Sequence, residues 1–309
     1  MFQKVSNKLL AVIFAVLALI GIFLFVLDGG KNERTFREVL VDIDTSKVSE
    51  ILIYSKSQNH KELKIYKENN EWRVTLPSGS SAKVSDQRIS SLFTQLVEIK
   101  PKRLAARDED KWTELQVDST GSRVKVFEGS KLTLDLVIGR FSFQQPRTMN
   151  TFVRLFNDKD VYEVDGFLDM TFNQGANAFR DGTVINSDYN NWKQVQFVYP
   201  ADSSFQIVNT GRAWLLNGKS TDSLKTANYL NRLRNLSNTS FIDEVKIDPS
   251  SQPTYSLNIT TSDMKFIEVK CFVDSTSSFI HSSENPEAWF DGTSLTKTIF
   301  VGKSAFLPK

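Results

Sequence analysis

The sequence predicts an α+β fold: one amino-terminal transmembrane helix followed by two similar domains, each a mainly antiparallel sheet with a packed helix. Three observations predict it. Leu9 to Leu27 runs without one charged or strongly polar side chain, whereas the chain after Gly30 has an ordinary polar composition. Tryptophan-marked strands recur at a spacing of about 140 residues, as Trp72 and then Trp214. Finally, the Asn/Gly/Ser-rich links between strands are too short to hold the crossover helices of a doubly wound sheet.

A helix over residues 9–27 rises about 28 Å, the thickness of a bilayer's hydrocarbon layer. Lys4 and Lys8 precede it with no acid among the first eight residues. Flanking cations stay on the cytoplasmic side, so residues 1–8 are expected inside and the bulk of the chain outside. The competing reading is a cleaved signal peptide, whose apolar part is shorter and closes on a small-x-small site. Here the run ends Phe25-Val26-Leu27-Asp28-Gly29-Gly30, without such a pair. The expected organisation is therefore a cytoplasmic start (1–8), an anchor in the bilayer (9–27) and a juxtamembrane linker (28–46). A first α+β repeat (47–182) and a second (183–309) follow.

Within the first repeat, Glu50–Tyr54, Glu62–Lys67 and Glu71–Leu76 alternate as three strands, with Asn69-Asn70 as a turn. Behind a cap at Ser85, Ile89, Leu92, Phe93, Leu96 and Val97 form the stripe of a helix laid on that sheet. Extended pairs follow at Arg123–Glu128 with Leu132–Ile138 and at Thr151–Asn157 with Val161–Val164. In the second repeat the strands are Gln194–Tyr199, Ser204–Val208 and Ala213–Leu216. A helix from Asp222 to Leu236 turns Ala227, Leu230, Leu233 and Leu236 inward. Strands at Tyr255–Thr261, Lys265–Val273, Ala288–Phe290 and Thr296–Phe300 complete the unit. Phe167 to Arg180 reads as a short helix before the turn Asp181-Gly182. The charged run Lys100–Lys111 reads as a solvated connector.

Composition narrows function by exclusion. Lysine and arginine number 38 against 36 aspartates and glutamates, interleaved, so no electrostatic footprint for nucleic acid is present. Cys271 is the single cysteine; it excludes an intrachain disulfide and reads as a small strand residue. His60 and His281 stand without metal-ligand spacing, so no metal is expected. Gly218-Lys219-Ser220 and Gly302-Lys303-Ser304 mimic the end of a phosphate-binding loop. The glycine needed five residues earlier is Ala213 in one and Lys297 in the other. No G-x-S-x-G elbow occurs, and no catalytic residue or cofactor is assigned. Among the 23 phenylalanines, Phe141, Phe143, Phe152 and Phe156 cluster around Gln144-Gln145-Pro146 as a candidate partner-docking face.

Asn70-Glu71-Trp72-Arg73-Val74, the helix Ile89–Val97 and Leu136-Val137-Ile138-Gly139 belong to an ordered series of motifs. Thr151-Phe152-Val153-Arg154, Val161-Tyr162-Glu163-Val164 and Ala178-Phe179-Arg180-Asp181 complete it. In this order the chain resembles a bacterial envelope family known only as domain of unknown function 4340. Where members often carry a longer Tyr-Gly-Leu segment, this chain has Trp112-Thr113-Glu114-Leu115. The resemblance implies a single-span protein of the inner membrane with periplasmic domains. It implies an accessory role beside ABC-type permease components or gliding-motility auxiliary subunits, and it transfers no enzymatic residue. Arg180 and Asp181 are read as a structural contact fixing the interdomain turn. The expected function is thus a non-enzymatic accessory subunit that docks other membrane-complex proteins. The alternative is a glycan-binding protein or glycan hydrolase using a cleft between the halves.

Overall fold

The computed structural model describes residues 16–17, 37–144, 148–245, 247, 251–274 and 277–308. The anchor expected over 9–27 lies outside the described residues apart from Val16 and Leu17. Among the described residues no helix is long and apolar enough to cross a membrane. What is described is mostly antiparallel sheet with a few helices.

The first sheet begins with a meander of β1 (Val48–Tyr54), β2 (Glu62–Glu68), β3 (Glu71–Thr75) and β4 (Ser81–Lys83). Asn69 and Asn70 both take positive φ, 48° and 69°. That is the two-residue hairpin turn whose twist suits the strands it joins. Helix α1 (Asp86–Val97) follows, and the Ser85 side chain accepts the Arg88 backbone N–H as its cap. Then come β5 (Pro101–Ala106), the short helix α2 (Trp112–Leu115), β6 (Ser122–Glu128), β7 (Lys131–Gln144), β8 (Thr148–Leu155) and β9 (Val161–Asp165). The strand order is β4-β3-β2-β1-β6-β7-β8-β9-β5.

Helix α3 (Asp169–Phe172) and a 3₁₀ turn at Ala176–Ala178 occupy the segment where one short helix was expected. The second sheet contains β11 (Trp192–Val198), β12 (Phe205–Asn209), β13 (Trp214–Leu216) and β14 (Lys219–Ser220). After helix α4 (Ser223–Leu233) come β16 (Tyr255–Thr261), β17 (Phe266–Val273), β18 (Ser278–Ser282) and β19 (Asn285–Asp291), then helix α5 (Gly292–Ile299). Its order is β14-β13-β12-β11-β16-β17-β18-β19. A separate ribbon pairs β10 (Thr183–Asn186) with β15 (Asn235–Ser237).

Two cores result. The first gathers Ile51, Ile53, Ile65 and Val124 under Ile89, Leu92 and Leu96 of α1, with Phe172 and Phe179 closing it. The second gathers Val195, Phe197, Ile207 and Ile259 under Tyr229, Leu230 and Leu233 of α4. A smaller cluster of Leu115, Val117, Val137, Phe152 and Val161 fills the other face of β7 to β9. There Gly139 marks a bulge in the β7–β8 register, and a methyl group on it would run into the Leu115 carbonyl.

Four local readings need correction. Lys100–Lys111 is no mere connector, because Pro101–Ala106 forms β5 and adds an edge to β9. Its outward Lys102 and Arg103 disguise a strand. Thr296–Phe300 is not a strand but the second half of α5, which Asp291 caps by accepting the Thr293 N–H and which buries Leu295 and Ile299 one turn apart. Ala227 is exposed, since a three-residue recurrence drifts about 60° per step around a helix. The buried face of α4 is instead Thr226, Tyr229, Leu230 and Leu233, and the helix stops before Leu236, which lies in β15. Val97, at the edge of the α1 stripe, is 47% exposed.

Candidate functional site

The turn after Phe179 connects the two sheets. Val84 and Arg180 form a β-bridge, and the Asp181 N–H donates to the Lys83 carbonyl at 2.7 Å. The Asn285 amide donates to the Asp181 carbonyl at 2.7 Å, and the Asn238 N–H to the Gly182 carbonyl at 2.8 Å. A methyl group on Gly182 would collide with the Asn238 carbonyl, which explains the glycine.

Arg180 is 5% exposed. Its Nη1 donates to Asp243 Oδ1 at 2.7 Å and to Asn177 Oδ1 at 3.3 Å, and its guanidinium sits 3.9 Å from the Phe241 ring centre. The carboxylate partner is thus Asp243 rather than the neighbouring Asp181. Asp181 caps the next turn instead, with Oδ1 accepting the Thr183 N–H and hydroxyl. Arg180 and Asp181 thus each have a different partner, Asp243 for the guanidinium and Thr183 for the carboxylate. Asp243 lies 63 positions along the chain, beyond the reach of any local pattern.

Beside this turn a groove follows one flank of α1. Three adjoining hollows of about 610, 480 and 490 Å³ share Arg88. Arg88, Ser91 and Gln95 recur at helical spacing along one flank of the buried stripe of α1, whose Leu92 also borders the groove. Across the groove stand Met170, Thr171, Gln174 and Asn177, with Thr239 from the second half. The walls therefore mix amides and hydroxyls, which donate and accept hydrogen bonds, with the charged side chains of Arg88, Lys83, Asp86 and Glu98.

The carboxylates described around the groove are Asp86, Glu98, Asp165 and Asp181. Asp86 and Glu98 both border the groove, but twelve residues apart on a helix puts them about 18 Å apart along its axis. A glycosidase pair stands about 5–10 Å apart. Asp165 is paired with Lys102 at 2.8 Å, and Asp181 is committed to its cap. Elsewhere Asp44, Glu114, Asp118 and Asp263 are held below the usual carboxylate range, chiefly by side-chain hydrogen bonds from Lys47, Lys111, Thr120 and Thr261. A general acid needs the opposite displacement. Burial pushes the Cys271 thiol up, away from nucleophilic character. The His281 ring lies against Trp289 at 4.7 Å and faces the Pro286 carbonyl.

The four phenylalanines of the candidate docking face part company. Phe152 is 6% exposed and belongs to the small core cluster, so it is withdrawn from that face. Phe156 sits beneath the Arg123 guanidinium at 3.2 Å. Phe141 and Phe143 are 48% and 56% exposed and share a face with Met149, which pairs with Phe143 across the hairpin. Met149 and Met170 carry no sequence signal of exposure; the alternation of β7 and β8 alone could have singled out Met149.

No curated protein and no solved structure matches this chain. The model of the family described as Domain of unknown function (DUF4340) matches residues 72–258, from the third strand of the first sheet into β16 of the second. That stretch is more than half of the chain, and the chain belongs to this family.

Proposed function

We propose that the chain is a non-enzymatic accessory subunit of a cell-envelope membrane complex, held at the bacterial inner membrane by residues 9–27. Residues 1–8 then lie in the cytoplasm, and two α+β units related by duplication stand in the periplasm. The observation that carries this reading is the groove along α1 and across the turn at 180–182. It is long and open, with hydroxyls and amides interspersed with charges of both signs such as Arg88, Asp86 and Glu98, which suits an extended segment of another protein better than a small substrate. An ABC-type transport or gliding-motility assembly is the partner class that the family resemblance suggests.

A photo-reactive residue in place of exposed Ser91 in the full chain, activated in native membranes, should crosslink to a second membrane protein. Recovery of a lone monomer in mild detergent, with no crosslink from that position, overturns the reading. The glycan reading draws on Asp86 and Asp181 bordering one hollow. Saturable binding of peptidoglycan fragments that Asp86→Asn abolishes would move the assignment there.

A further inference from the structure

Four side chains of α1 and its end fall on one line. Arg88, Ser91, Gln95 and Glu98 recur at intervals of three and four residues, and all four border the groove. A cation thus stands at one end of the line and an acid at the other, about 15 Å apart along the helix axis, with two neutral groups between. Charges nearby are engaged: Lys83 with Glu71 at 3.4 Å, Asp165 with Lys102 at 2.8 Å and Arg180 with Asp243 at 2.7 Å. Arg88 and Glu98 enter no ion pair among the described residues. Asp86 lies about 160° round the helix from Arg88 and borders only the outer hollow. Among the described residues lining the middle hollow of about 480 Å³, Arg88 is the single charged one. The amides there are half-committed. Asn177 Oδ1 accepts from Arg180 at 3.3 Å and Gln95 Oε1 accepts the Thr171 hydroxyl, which leaves both amide nitrogens as donors. Gln174 does the reverse, since its Nε2 donates to the Met170 carbonyl at 3.1 Å and its oxygen stays an acceptor.

We infer that the groove holds an extended peptide by two opposite charges, an acidic residue over Arg88 and a basic residue over Glu98. The inference rests on the proposed docking role of the groove and names the chemistry of what docks there. An extended chain advances about 3.3 Å per residue, so the two charges of the peptide stand about four or five positions apart. Between them, the amide nitrogens of Asn177 and Gln95 and the Gln174 oxygen match carbonyl and N–H groups of a backbone, which any sequence supplies. The charges then set the register, and the amides supply the contact. A peptide with the same sign at both places meets repulsion at one of them, so the pair selects by mismatch as much as by match. An anionic glycan meets Arg88 equally well but is repelled at Glu98, and the acid at the far end therefore favours a peptide.

The test uses the full chain in mild detergent, with fluorescent peptides of glycine, serine and alanine as probes. Two probes carry Asp and Lys five positions apart, one in each order; the others carry Asp at both places or Lys at both. Fluorescence anisotropy should place one of the Asp/Lys probes first by roughly fivefold. Glu98→Lys should move first place to the probe with two Asp, and Arg88→Glu to the probe with two Lys. Both positions are exposed, and a variant that failed to fold would lose binding rather than change its preference. A ranking that the two reversals leave unmoved overturns the inference. Absence of binding by every probe, in a chain that still crosslinks through position 91, overturns it in favour of a folded partner and leaves the docking role standing. Absence of both overturns the docking role itself.

Discussion

The two sheets share their order over eight strands and even their irregularities. The β1–β6 register shifts between Val48 and Glu50, and the β11–β16 register shifts at the matching place between Trp192 and Gln194. They differ in what the chain does after the crossing helix. In the first, the segment after α1 becomes β5 and closes the far edge beside β9. In the second, the segment after α4 becomes β15, and its continuation covers the edge of β19: the Ile242 N–H donates to the Trp289 carbonyl, and the Asp291 N–H to the Ser240 carbonyl. An exposed edge invites unwanted pairing, so each sheet needs a cover. Both halves supply their own, and the second also spends part of the same stretch on the turn at 180–182, through Asn238 and Asp243.

The cores differ as well. Where the first sheet stacks Ile51 and Ile53, the second places Val195 and Phe197 at the same register positions. Phe197 stacks on Phe205 at 4.4 Å and meets Phe306 and Tyr229 at 5.7 and 6.0 Å. Backbone order is thus held while side-chain volume is free to change, so long as each core fills. The largest expected effects follow from this contrast. Phe197→Ala should cost about 3–5 kcal/mol and Ile53→Ala about 2–5 kcal/mol. Thermal unfolding followed by the fluorescence of single-tryptophan reporters at Trp72 and Trp214 should show each variant lowering the transition of its own sheet. If both reporters shift together for either variant, the halves unfold as one unit and their separateness is broken.

The turn between the halves gives the next effect, with an asymmetry that sharpens it. Asp243→Ala leaves the Arg180 guanidinium buried with only Asn177 as a hydrogen-bond partner, and should cost about 2–3 kcal/mol. Arg180→Ala should cost less, about 1–2 kcal/mol, because the 40% exposed Asp243 side chain can return to water. Urea unfolding of both variants measures the difference. The reverse ranking would mean that the stack on Phe241, rather than the ion pair, dominates. Neither change should abolish the crosslink from Ser91 unless the groove depends on the turn.

Helix caps provide a matched pair of smaller size. Ser85 accepts the Arg88 N–H, and Asp222 accepts the Lys225 N–H at 3.0 Å. Replacing either by alanine should cost about 1 kcal/mol, read as a fall in thermal midpoint. A markedly greater loss at Asp222 would show that the second helix relies more on its cap than on its stripe.

These particular residues also show where sequence reasoning reaches. The Ser85 cap, the stripe at Ile89, Leu92 and Leu96, the Asn69-Asn70 turn and the alternating strands are local, and each was legible. Strand β5 was hidden because an edge strand may carry Lys102 and Arg103 outward, which breaks the apolar alternation. Helix α5 reads as a strand because Thr296, Thr298 and Ile299 are β-branched, and its burial against β18 outweighs that preference. Phe152 joins Phe141 and Phe143 only by nearness in sequence; on β8 it alternates onto the opposite face, into the cluster with Val137 and Val161. The groove was invisible, for it is made by α1, the 167–178 segment and Thr239, which only the folded chain brings together.

The least disruptive comparison uses alkali. Tyr54 closes β1, and Tyr199 directly follows β11. Burial first, then a hydrogen bond to Glu62 at 2.6 Å, pushes the Tyr54 phenol up to about 12. Burial, aided by neighbouring Tyr255, pushes the Tyr199 phenol further in the same direction, while its hydroxyl donates to the Val301 carbonyl at 2.8 Å. Below pH about 10 both phenols are neutral whether the chain is folded or not, so their contribution to stability is fully present. Above it the unfolded chain loses these protons first, and stability falls; for Tyr54 the loss runs from about pH 10 to about pH 12. Phenolate absorbance should therefore rise in two stages, with Tyr199 ionising only as the second sheet opens. Tyr54→Phe should leave the late stage in place, and Tyr199→Phe should reduce it. A single-stage rise for all seven tyrosines would mean that the two strand ends are equally wet, and that the aromatic filling of the second core does not seal it more tightly than the aliphatic filling of the first.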